Sequence, residues 1–562
     1  MTFSMKRELA KKGKKIRKYI FVTGGVMSGV GKGVAAASIG KIIQSRGFEV
    51  TAMKIDPYVN VDAGTMNPVE HGEVFVLSDG TECDQDMGNY ERFLDRDLSR
   101  TNYMTTGSVY LSVIERERNL GYGGKCVEVV PHIPLEVLSK IDRACTKNAA
   151  EVIIVEIGGT VGEYQNILFL EAVRILKTKK PDDVLLVLVG YLPYQGPEGE
   201  LKTKPTQYAV RTLNSVGLQP DVILARAPVP LDKKRKEKIA FNCNLREEDI
   251  VSAPNVESIY EIPINFERDH LSTLILQKLG LRARRVNMRK WRRLVRNIRS
   301  STEEVRIGIV GKYFESGKFL LADSYISVIE AVKHAAYALR KKPRVLWVDT
   351  ERFERNSRAV RELEKMHGVI VPGGFGARGV EGKIAAIRYC REHRIPFLGI
   401  CYGMQLAVVE FARHVAGLRG AHSTEVNPRT TYPVIDILPE QRKYLAEKKY
   451  GATMRLGAYP AVIQRRTIAY RAYREPLVSE RHRHRYEVNP EYVARLEKQG
   501  LVFSGFSPNR RLMEIAELPL QLHPFFVGTQ FHPEFTSRPL RPHPIFLEFL
   551  KAAEKRNARR ER

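Results

Sequence analysis

Apolar runs alternate with helical repeats along the first half of the chain. A strand-like run, YIFVTGG, precedes a glycine-rich loop, a helical pattern and a second strand-like run, EVTAMKID. Later apolar runs at residues 152–159, 184–190 and 221–227 have the length and composition of strands that are buried on both faces. Such strands alternating with helices are typical of a doubly wound, Rossmann-like α/β domain with a parallel sheet.

The alternation stops near residue 281 and begins again after residue 304. The stretch LRARRVNMRKWRRLVRNIRS carries nine basic residues and no acid, and its apolar residues, Trp291 among them, recur near helical spacing. It is interpreted as an amphipathic linker helix. A new strand, VRIGIVGKY, then opens a second α/β pattern. The sequence thus predicts a basic extension (1–17), a first domain (18–280), a linker helix (281–304) and a second domain (305–562).

Composition narrows the class of protein. A chain of 562 residues with 43% hydrophobic and 28% charged residues is too long for one core and too apolar for a disordered chain. No apolar run reaches about 18 residues, and the basic N-terminus lacks the apolar segment of a secretory signal. The six cysteines form no CxxC pair, which favours free thiols in a reducing, cytoplasmic compartment.

The net charge of +27 leaves three interpretations open. Clustered Lys and Arg could bind nucleic acid, they could bind nucleotides with several phosphates, or they could simply cover solvated faces. The charge is concentrated in the first 18 residues and in the linker.

The loop Gly24–Gly33 has the features of a phosphate-binding site. It lies between a strand and a helix, so its backbone N–H groups and the helix N-terminus can face phosphate oxygens, and Lys32 can reach the β- and γ-phosphates. The usual loop has Ser or Thr after the lysine to bind Mg²⁺, but Gly33 stands there. Mg²⁺ prefers carboxylate ligands, and Asp86 and Glu156 are the candidates.

A second candidate site begins at Cys401. The segment GICYG lies between a strand and a helix, which is the nucleophile-elbow pattern with sulfur as the nucleophile. His532 could deprotonate the thiol, and Glu534 could fix the histidine tautomer. The glycine-rich loop at 372–376 could supply backbone N–H groups to an oxyanion. Together these segments indicate amide hydrolysis through a thioester.

Several long strings now identify a family resemblance. They are FVTGGVMSGVGKG (21–33), MKIDPYVNVDAGTMNPVEHGEVFV (53–76), DMGNYERF (86–93), VEIGGTVGE (155–163), GELKTKPTQ (199–207), PGGFGARGVEG (372–382), GICYGMQ (399–405), STEV (423–426), ATMRLG (452–457), RHRHRYEVN (481–489) and QFHPEF (530–535). On these strings the chain resembles the CTP synthase family over nearly all of residues 18–550.

The resemblance implies roles for individual residues. The implied catalytic triad is Cys401, His532 and Glu534, and the implied Mg²⁺ ligands are Asp86 and Glu156. The implied ATP-binding residues are Ser28, Gly29, Val30, Gly31, Lys32, Gly33, Lys54 and Asp86. The implied UTP- and CTP-binding residues are Ser28, Glu163, Tyr164, Gln165, Lys202, Thr203, Lys204, Pro205, Thr206, Gln207 and Lys238. The implied glutamine-binding residues are Gly374, Phe375, Tyr402, Gly403, Met404, Gln405, Glu425 and Arg485.

The resemblance also implies a reaction in pyrimidine nucleotide biosynthesis, in which UTP, ATP, glutamine and water give CTP, ADP, phosphate and glutamate. Phosphorylation would turn O4 of uracil into a good leaving group, which ammonia then displaces. GTP is implied as allosteric activator, CTP as inhibitor, and a homotetramer, with filaments as a further possibility, as the assembly. No nucleic acid and no membrane are expected as partners.

Three positions depart from the family pattern. Gly29 stands where the family usually has Ser, and Tyr402 where it usually has Leu. After GGTVG the family has Asp-x-Glu, whereas this chain has Glu163, Tyr164 and Gln165. In the family this last loop contacts the pyrimidine nucleotide, so the departure bears on inhibition by CTP.

The sequence also allows two alternative functions. One is a related ATP-dependent amidotransferase or ligase, such as a relative of cobyrinic acid diamide synthase or dethiobiotin synthetase, against which KTKPTQ and RHRHRYE argue. The other is a nucleic-acid-binding or filament-forming protein without activity, which the high charge favours and the two intact sets of catalytic residues oppose.

Overall fold

The computed structural model describes residues 17–66, 72–195, 199–311, 315–316, 319–320, 322–437 and 454–560. The predicted N-terminal extension lies outside the described residues except for Arg17, and so do parts of the strings at 53–76 and 452–457. Within the described ranges, no helix combines the length and the apolar character that crossing a membrane requires.

The strands, in chain order, are β1 (Lys18–Gly24), β2 (Val50–Asp56), β3 (Val74–Val76), β4 (Glu82–Asp84), β5 (Tyr103–Thr105), β6 (Val152–Thr160), β7 (Val184–Tyr191), β8 (Tyr194–Gln195), β9 (Glu200–Leu201), β10 (Val222–Ala227), β11 (Ile250–Pro254), β12 (Glu304–Gly311), β13 (Glu315–Ser316), β14 (Phe319–Leu320), β15 (Lys342–Asp349), β16 (Gly368–Val371), β17 (Phe397–Ile400), β18 (His422–Ser423), β19 (Pro433–Ile437), β20 (Arg455–Ile463), β21 (Leu477–His484), β22 (Tyr486–Val488), β23 (Val502–Phe506), β24 (Met513–Glu517) and β25 (Phe526–Thr529).

The α-helices are α1 (Lys32–Ser45), α2 (Asp86–Leu94), α3 (Thr106–Arg118), α4 (Val129–Lys147), α5 (Ile167–Lys179), α6 (Lys204–Ser215), α7 (Lys233–Asn242), α8 (Ile262–Arg268), α9 (Leu271–Lys278), α10 (Arg289–Ser300), α11 (Ile326–Ala338), α12 (Thr350–Arg355), α13 (Val380–Glu392), α14 (Tyr402–His414), α15 (Ile468–Tyr473), α16 (Pro490–Lys498) and α17 (Pro544–Arg560).

The described residues divide into two compact units. The first contains the chain up to Asp62 together with Asn89–Arg292, and the second contains Ala63–Gly88 together with the chain from Arg293 onward. The segment Ala63–Gly88 therefore packs with the C-terminal residues, although it precedes most of the first unit in sequence. The domain boundaries deduced from sequence stay a prediction.

The first unit is built on one parallel sheet. Its strand order is β11-β10-β7-β1-β6-β2-β5, and every pairing in it is parallel. The central strands are buried almost throughout, as their unbroken apolar runs predict. Since β1 lies between β6 and β7, the glycine loop that follows β1 lies at the carboxyl edge, where open α/β sheets bind ligands.

The second unit combines a parallel and an antiparallel half in one sheet. Its order is β15-β12-β16-β17-β25-β24-β23-β20-β21, with parallel pairing from β15 to β25 and antiparallel pairing from β25 to β21. The predicted α/β class is confirmed for both units. The antiparallel half was not predicted, because helices α15 and α16 lie between some of its strands, and strands alternating with helices are also what a parallel sheet shows in sequence.

The basic stretch contains the helix α10, and its apolar residues are buried. Met288 and Trp291 are buried in the first unit, where the Trp291 indole N–H donates to the carbonyl oxygen of Tyr260 at 2.8 Å and the ring packs against Phe93. The arginines and the lysine of the stretch are exposed, and Asn297 is partly buried. The stretch is thus an amphipathic helix, as predicted, with its apolar face covered by protein.

Candidate active sites

Cys401 lies on a tight turn between β17 and α14. Its φ is 52° and its ψ is −101°, a conformation that non-glycine residues rarely adopt and that occurs at strained functional sites. The turn requires Gly403, because a Cβ there would lie 2.0 Å from the carbonyl oxygen of Val371. The predicted elbow pattern therefore has a steric explanation in this fold.

His532 and Glu534 lie in one buried turn after β25. Nδ1 of His532 and Oε1 of Glu534 are 2.7 Å apart, and Phe535 stacks on the imidazole at 5.0 Å between ring centroids. Burial alone would lower the pKa of His532, but the negative charges of Glu534 and Cys401 outweigh it and raise the pKa to about 10. The histidine is therefore held as an imidazolium beside the sulfur at neutral pH.

Further polar groups surround the sulfur of Cys401. Nε2 of Gln530 donates toward Sγ at 3.7 Å, and Nε2 of Gln405 in turn donates to Oε1 of Gln530 at 3.3 Å. Sγ also lies 3.8 Å from the carbonyl oxygen of Arg483 on β21. The sulfur thus has one side-chain donor and one backbone carbonyl oxygen beside it.

The glycine-rich loop after β16 is tied to the same site. The backbone N–H of Gly376 donates to Oε1 of Glu425 at 2.9 Å, and the hydroxyl of Tyr402 donates to the carbonyl oxygen of Gly376 at 2.7 Å. Two hydrogen bonds from different elements thus hold one residue of the loop that was expected to form the oxyanion hole.

A cavity of about 830 Å³ joins these elements within the second unit. The triad lines it, and so do the predicted glutamine ligands Gly374, Phe375, Gln405, Glu425 and Arg485. Three others are absent from its wall. Gly403 and Met404 pack toward the sheet, whereas Tyr402 is buried beneath the loop.

The sequence prediction missed one wall of this cavity. Gly64, Thr65, Met66, Glu73 and Val74 line it from the segment Ala63–Gly88. The signal available was the long string at 53–76, which matched the family but carried no obvious catalytic residue.

Two arginines of β21 donate hydrogen bonds to the same segment. Nη1 of Arg481 donates to the carbonyl oxygen of Val76 at 3.1 Å, and Nε of Arg483 donates to Oε1 of Glu82 at 2.8 Å. The carbonyl oxygen of Arg481 accepts from the backbone N–H of His532 at 2.8 Å. The segment thus supports the strand that holds the backbone of His532.

A buried polar cluster lies on the opposite face of β21. Arg455 donates to Glu487 at 3.1 Å and to Glu514 at 2.7 Å, and Nδ1 of His482 lies 2.9 Å from Nε2 of His484. Burial, followed by the charge of Glu514, raises the pKa of Glu487 to about 8, while burial and Arg455 hold the pKa values of both histidines well below their usual range. In this cluster, the positive charge of Arg455 thus faces Glu487 and Glu514, and these two carboxylates share a proton near neutral pH.

In the first unit, the phosphate loop connects β1 to α1. Gly29 and Gly31 adopt positive φ values of 70° and 91°, which only glycine takes without strain. Ser28 and Gly29 are exposed, whereas Val30, Lys32 and Gly33 are buried at the start of α1. The loop therefore presents backbone at the edge of the sheet, with the lysine at its base.

Lys54 and Glu156 face each other across neighbouring strands, since they are register partners in β2 and β6. Nζ of Lys54 donates to Oε1 of Glu156 at 2.9 Å, and the hydroxyl of Tyr90 donates to Oε2. Nζ also lies 3.8 Å from Asp56. These contacts explain how a carboxylate can lie fully buried in the middle of the apolar strand β6, and not at the strand end that the apolar run alone would suggest.

Asp86, the other predicted metal ligand, begins α2 one helical turn before Tyr90. Within the described part of the chain, no group of three or more His, Cys, Asp or Glu side chains is arranged to bind a metal. A site of two carboxylates completed by phosphate oxygens needs no such group, because Mg²⁺ usually takes one or two carboxylates together with phosphate oxygens.

Apart from Ser28 on the phosphate loop, the residues assigned to the pyrimidine nucleotide fall on three segments. In the first, Nε2 of Gln165 donates to Oε2 of Glu163 at 2.7 Å, and Tyr164 is 94% exposed. In the KTKPTQ segment, Lys202 pairs with Glu200, and Gln207 donates to Thr203 at 3.1 Å.

Within the same segment, Lys204 and Pro205 begin α6, and the hydroxyl of Thr206 donates to the carbonyl oxygen of Tyr191 at 3.1 Å. Thr206 is fully buried, so its role is to join α6 to β7. Lys238 lies on the third segment, exposed on α7.

A smaller cavity of about 290 Å³ opens beside Gly31. Its walls are mostly apolar and include Val189, Leu224 and Pro254, and Arg226 enters it with its guanidinium bonded to the carbonyl oxygens of Ala253 and Pro254. The sequence prediction did not find this cavity, because its walls come from the ends of β7, β10 and β11 and from α1 and α8.

Comparisons with known proteins find matches in both halves of the chain. Residues 18–281 match the family model of the CTP synthase N-terminus, and residues 320–552 match that of class-I glutamine amidotransferases. A solved structure of the Trypanosoma brucei CTPS glutaminase domain with bound acivicin is 40% identical, with a TM-score of 0.41 over 45% of this chain and 94% of that one.

Full-length relatives extend the match. The CTP synthase of Thermococcus gammatolerans is 52% identical over 541 residues, which cover 96% of this chain and 99% of the relative. That of Pyrococcus furiosus is 51% identical over 539 residues, which cover 96% and 98%. The chain therefore belongs to the CTP synthase family, the enzymes that aminate UTP with nitrogen taken from glutamine.

Proposed function

We propose that Cys401, His532 and Glu534 release ammonia from glutamine, and that the phosphate-loop site activates UTP with ATP so that the ammonia can attack it. The observation that carries the first half is the strained elbow of Cys401 beside a His532–Glu534 pair only 2.7 Å apart. The Lys54–Glu156 pair at the edge of the parallel sheet supports the second half.

In the proposed hydrolysis, the thiolate of Cys401 attacks the side-chain amide carbon of glutamine. The oxyanion that forms accepts hydrogen bonds from backbone N–H groups of the loop at Gly374 and of the helix start at Tyr402. The imidazolium of His532 gives its proton to the departing nitrogen, so that ammonia leaves and a thioester remains. Water, deprotonated by the now neutral His532, hydrolyses the thioester to glutamate.

The remaining cavity residues suit the amino-acid end of glutamine. The carboxylate of Glu425 can hold the α-ammonium group, and the guanidinium of Arg485 can hold the α-carboxylate. Gln405, which already bonds Gln530 and the carbonyl oxygen of Tyr486, fixes the polar floor of the cavity.

In the proposed synthetase site, Lys32 and Lys54 stabilise negative charge on the phosphoryl group that passes from ATP to O4 of uracil. Glu156 holds the Lys54 ammonium in place, and with Asp86 it would bind Mg²⁺. Bound Mg²⁺ would supply neutralisation of phosphate charge. The cavity beside Gly31, with its apolar walls and the Arg226 guanidinium, has a size suited to the adenine base.

Lys202, Gln207 and Lys238 are proposed to bind the phosphates of UTP and of CTP, and Glu163 to Gln165 the pyrimidine end of the inhibitor CTP. GTP is proposed as activator on the basis of family membership alone. The described cysteines form no disulfide, which supports a reducing, cytoplasmic compartment.

A homotetramer is supported by apolar side chains exposed on the first unit. Val59, Val61, Leu111, Ile114 and Leu120 are exposed, and the loop carrying the two valines is bonded to the start of α3. Exposed apolar residues clustered in this way are typical of surfaces that bind another protein.

The test compares two nitrogen sources. CTP formation from UTP, ATP and Mg²⁺ is followed with glutamine and, separately, with ammonium chloride. Cys401→Ala should abolish the glutamine-dependent rate and leave the ammonia-dependent rate, whereas Lys54→Met should abolish both. Cys126→Ala, at an exposed cysteine, is the matched control. Glutamine-dependent CTP formation by Cys401→Ala, or ammonia-dependent formation by Lys54→Met, would refute the assignment.

A further inference from the structure

Lys383 and Tyr402 lie together beneath the glycine-rich loop of the glutaminase site. Lys383 is on α13 and Tyr402 begins α14, and both side chains are buried. Nζ of Lys383 lies 5.1 Å from the centroid of the Tyr402 ring, so the ammonium faces the aromatic π-system. We propose that these two residues form a buried cation–aromatic pair that positions the oxyanion loop and places positive charge beside it, so that the pair sets the rate of glutamine hydrolysis.

The burial of Lys383 is the first argument. Lysine is almost never fully buried, because removing an ammonium from water is costly, yet this side chain has no exposed surface. An aromatic face offsets part of that cost, and it does so best where water is excluded. The Tyr402 ring is therefore a reason that the lysine can stay charged inside the protein.

The location of the ammonium is the second argument. A Cβ built on Gly374 would lie 3.8 Å from Nζ of Lys383 and 3.8 Å from Cδ1 of Tyr402, so both members of the pair lie directly under this loop residue. Gly374 also lines the cavity that contains Cys401. A charge fixed there stabilises negative charge that develops on the substrate oxygen more than it stabilises neutral glutamine.

The hydroxyl of Tyr402 supplies the third argument. It donates to the carbonyl oxygen of Gly376 at 2.7 Å, while the N–H of the same residue donates to Glu425 at 2.9 Å. Both backbone polar groups of Gly376 are thus hydrogen-bonded. Tyr402, the residue that follows Cys401, makes one of these two bonds.

The leucine that the family usually has at position 402 could make neither contact. It has no hydroxyl for Gly376 and no aromatic face for Lys383. Tyr402 therefore makes two separate contacts, one through its ring to Lys383 and one through its hydroxyl to Gly376. Neither residue is among those that line the cavity, so both are positioning residues.

The inference rests on the proposed role of Cys401, and the experiment separates the two. Glutamine hydrolysis and CTP synthesis are measured for Lys383→Met, Lys383→Arg, Tyr402→Phe, Tyr402→Leu and the double variant Lys383→Met/Tyr402→Leu. Arg388→Met, which removes an exposed charge from the same helix, is the control, and Cys401→Ala tests the proposed function itself.

Lys383→Met should lower kcat for glutamine about 10- to 100-fold, with KM for glutamine changed less than about threefold, because the charge acts on the transition state. Lys383→Arg should recover much of the rate, since it retains the charge. Tyr402→Phe should lower kcat about 3- to 10-fold through the lost hydrogen bond alone. The double variant should lose less than the product of the two single-variant losses, because the two changes disrupt one shared contact.

Three results would overturn the inference while leaving the proposed function intact. They are a kcat of Lys383→Met within about twofold of the wild type, a loss seen only in KM, and an equal loss in ammonia-dependent synthesis. If Lys383→Met proves unstable in thermal unfolding, Tyr402→Phe and Lys383→Arg decide. A wild-type rate of glutamine hydrolysis for Tyr402→Phe, together with no activity for Lys383→Arg, would contradict the proposed pair. Glutamine-dependent activity in Cys401→Ala would instead refute the proposed function.

Discussion

Replacing Glu534 by Gln removes one negative charge from the glutaminase site and little else. The glutamine side chain has nearly the same size, and its carbonyl oxygen can still accept a hydrogen bond from Nδ1 of His532. In the wild type this oxygen is a carboxylate oxygen 2.7 Å from Nδ1, with both residues buried. The change therefore tests the charge of Glu534 apart from its shape.

The expected loss follows from the distance. Two unit charges 2.7 Å apart interact by about 6 kcal/mol at an effective dielectric constant of about 20, which is an upper limit for the imidazolium form of His532. The hydrogen bond from His532 to the new glutamine side chain retains part of this interaction energy. We therefore expect the transition state to lose about 3–4 kcal/mol of stabilisation. That corresponds to a fall of about 10²- to 10³-fold in glutamine-dependent kcat/KM.

The pH profile gives a second readout. The charge of Glu534 helps to raise the pKa of His532 to about 10, against burial, which lowers it. Without that charge the imidazolium loses its proton at lower pH, so the alkaline limb of the glutamine-dependent rate should move to lower pH. Ammonia-dependent synthesis should keep its wild-type profile.

The assay is the initial rate of CTP formation with glutamine or with ammonium chloride, over a pH series. Glu392→Gln, at a partly exposed carboxylate that pairs with Arg388, controls for removal of a charge elsewhere in the same unit. A glutamine-dependent rate for Glu534→Gln within about threefold of the wild type would refute the reasoning. So would an unshifted alkaline limb, or an equal loss with ammonia.

Three further changes test other parts of the structure. Trp291→Ala should lower the free energy of unfolding by about 3–5 kcal/mol in a denaturant titration, because a buried ring and its hydrogen bond to Tyr260 are lost; a loss below about 1 kcal/mol would contradict this. Glu487→Gln should become more stable relative to wild type as pH rises from about 5 to about 8 in thermal unfolding, because the wild-type carboxyl binds a proton there that the unfolded chain has released; a pH-independent difference would count against it. Gln165→Glu should change the concentration of CTP that half-inhibits the enzyme, since a second carboxylate would face Glu163; an identical inhibition curve would show that this loop does not tune inhibition.

Local patterns allowed the elements of both sites to be predicted. The elbow at Cys401 needs Gly403 against Val371, and the phosphate loop needs glycine at the positive φ of Gly31, so steric requirements of a few neighbouring residues are written in the sequence itself. The buried strands were predictable for the same reason, because a strand covered on both faces must be apolar along its whole length.

Pairings between distant residues could not be predicted from such patterns. Glu156 is visible in the sequence as a carboxylate within an apolar run, but its partner Lys54 depends on the register of β2 against β6, about a hundred residues apart. The same holds for Lys383 under Tyr402, which appears in the sequence as an ordinary helical lysine. The periodicity and composition of one strand do not determine its register against another strand.

The segment Ala63–Gly88 shows how far this limit extends. By sequence it belongs to the match with the CTP synthase N-terminus, yet it packs in the second unit and lines the cavity around Cys401. Arg481 and Arg483 join it to β21, and the carbonyl oxygen of Arg481 holds the backbone of His532. A glutaminase domain cut from the chain at residue 293 would therefore lack one wall of its own cavity and the support of its catalytic histidine. The catalytic unit of glutamine hydrolysis is consequently larger than the stretch that matches the amidotransferase family, because residues of the N-terminal match complete it.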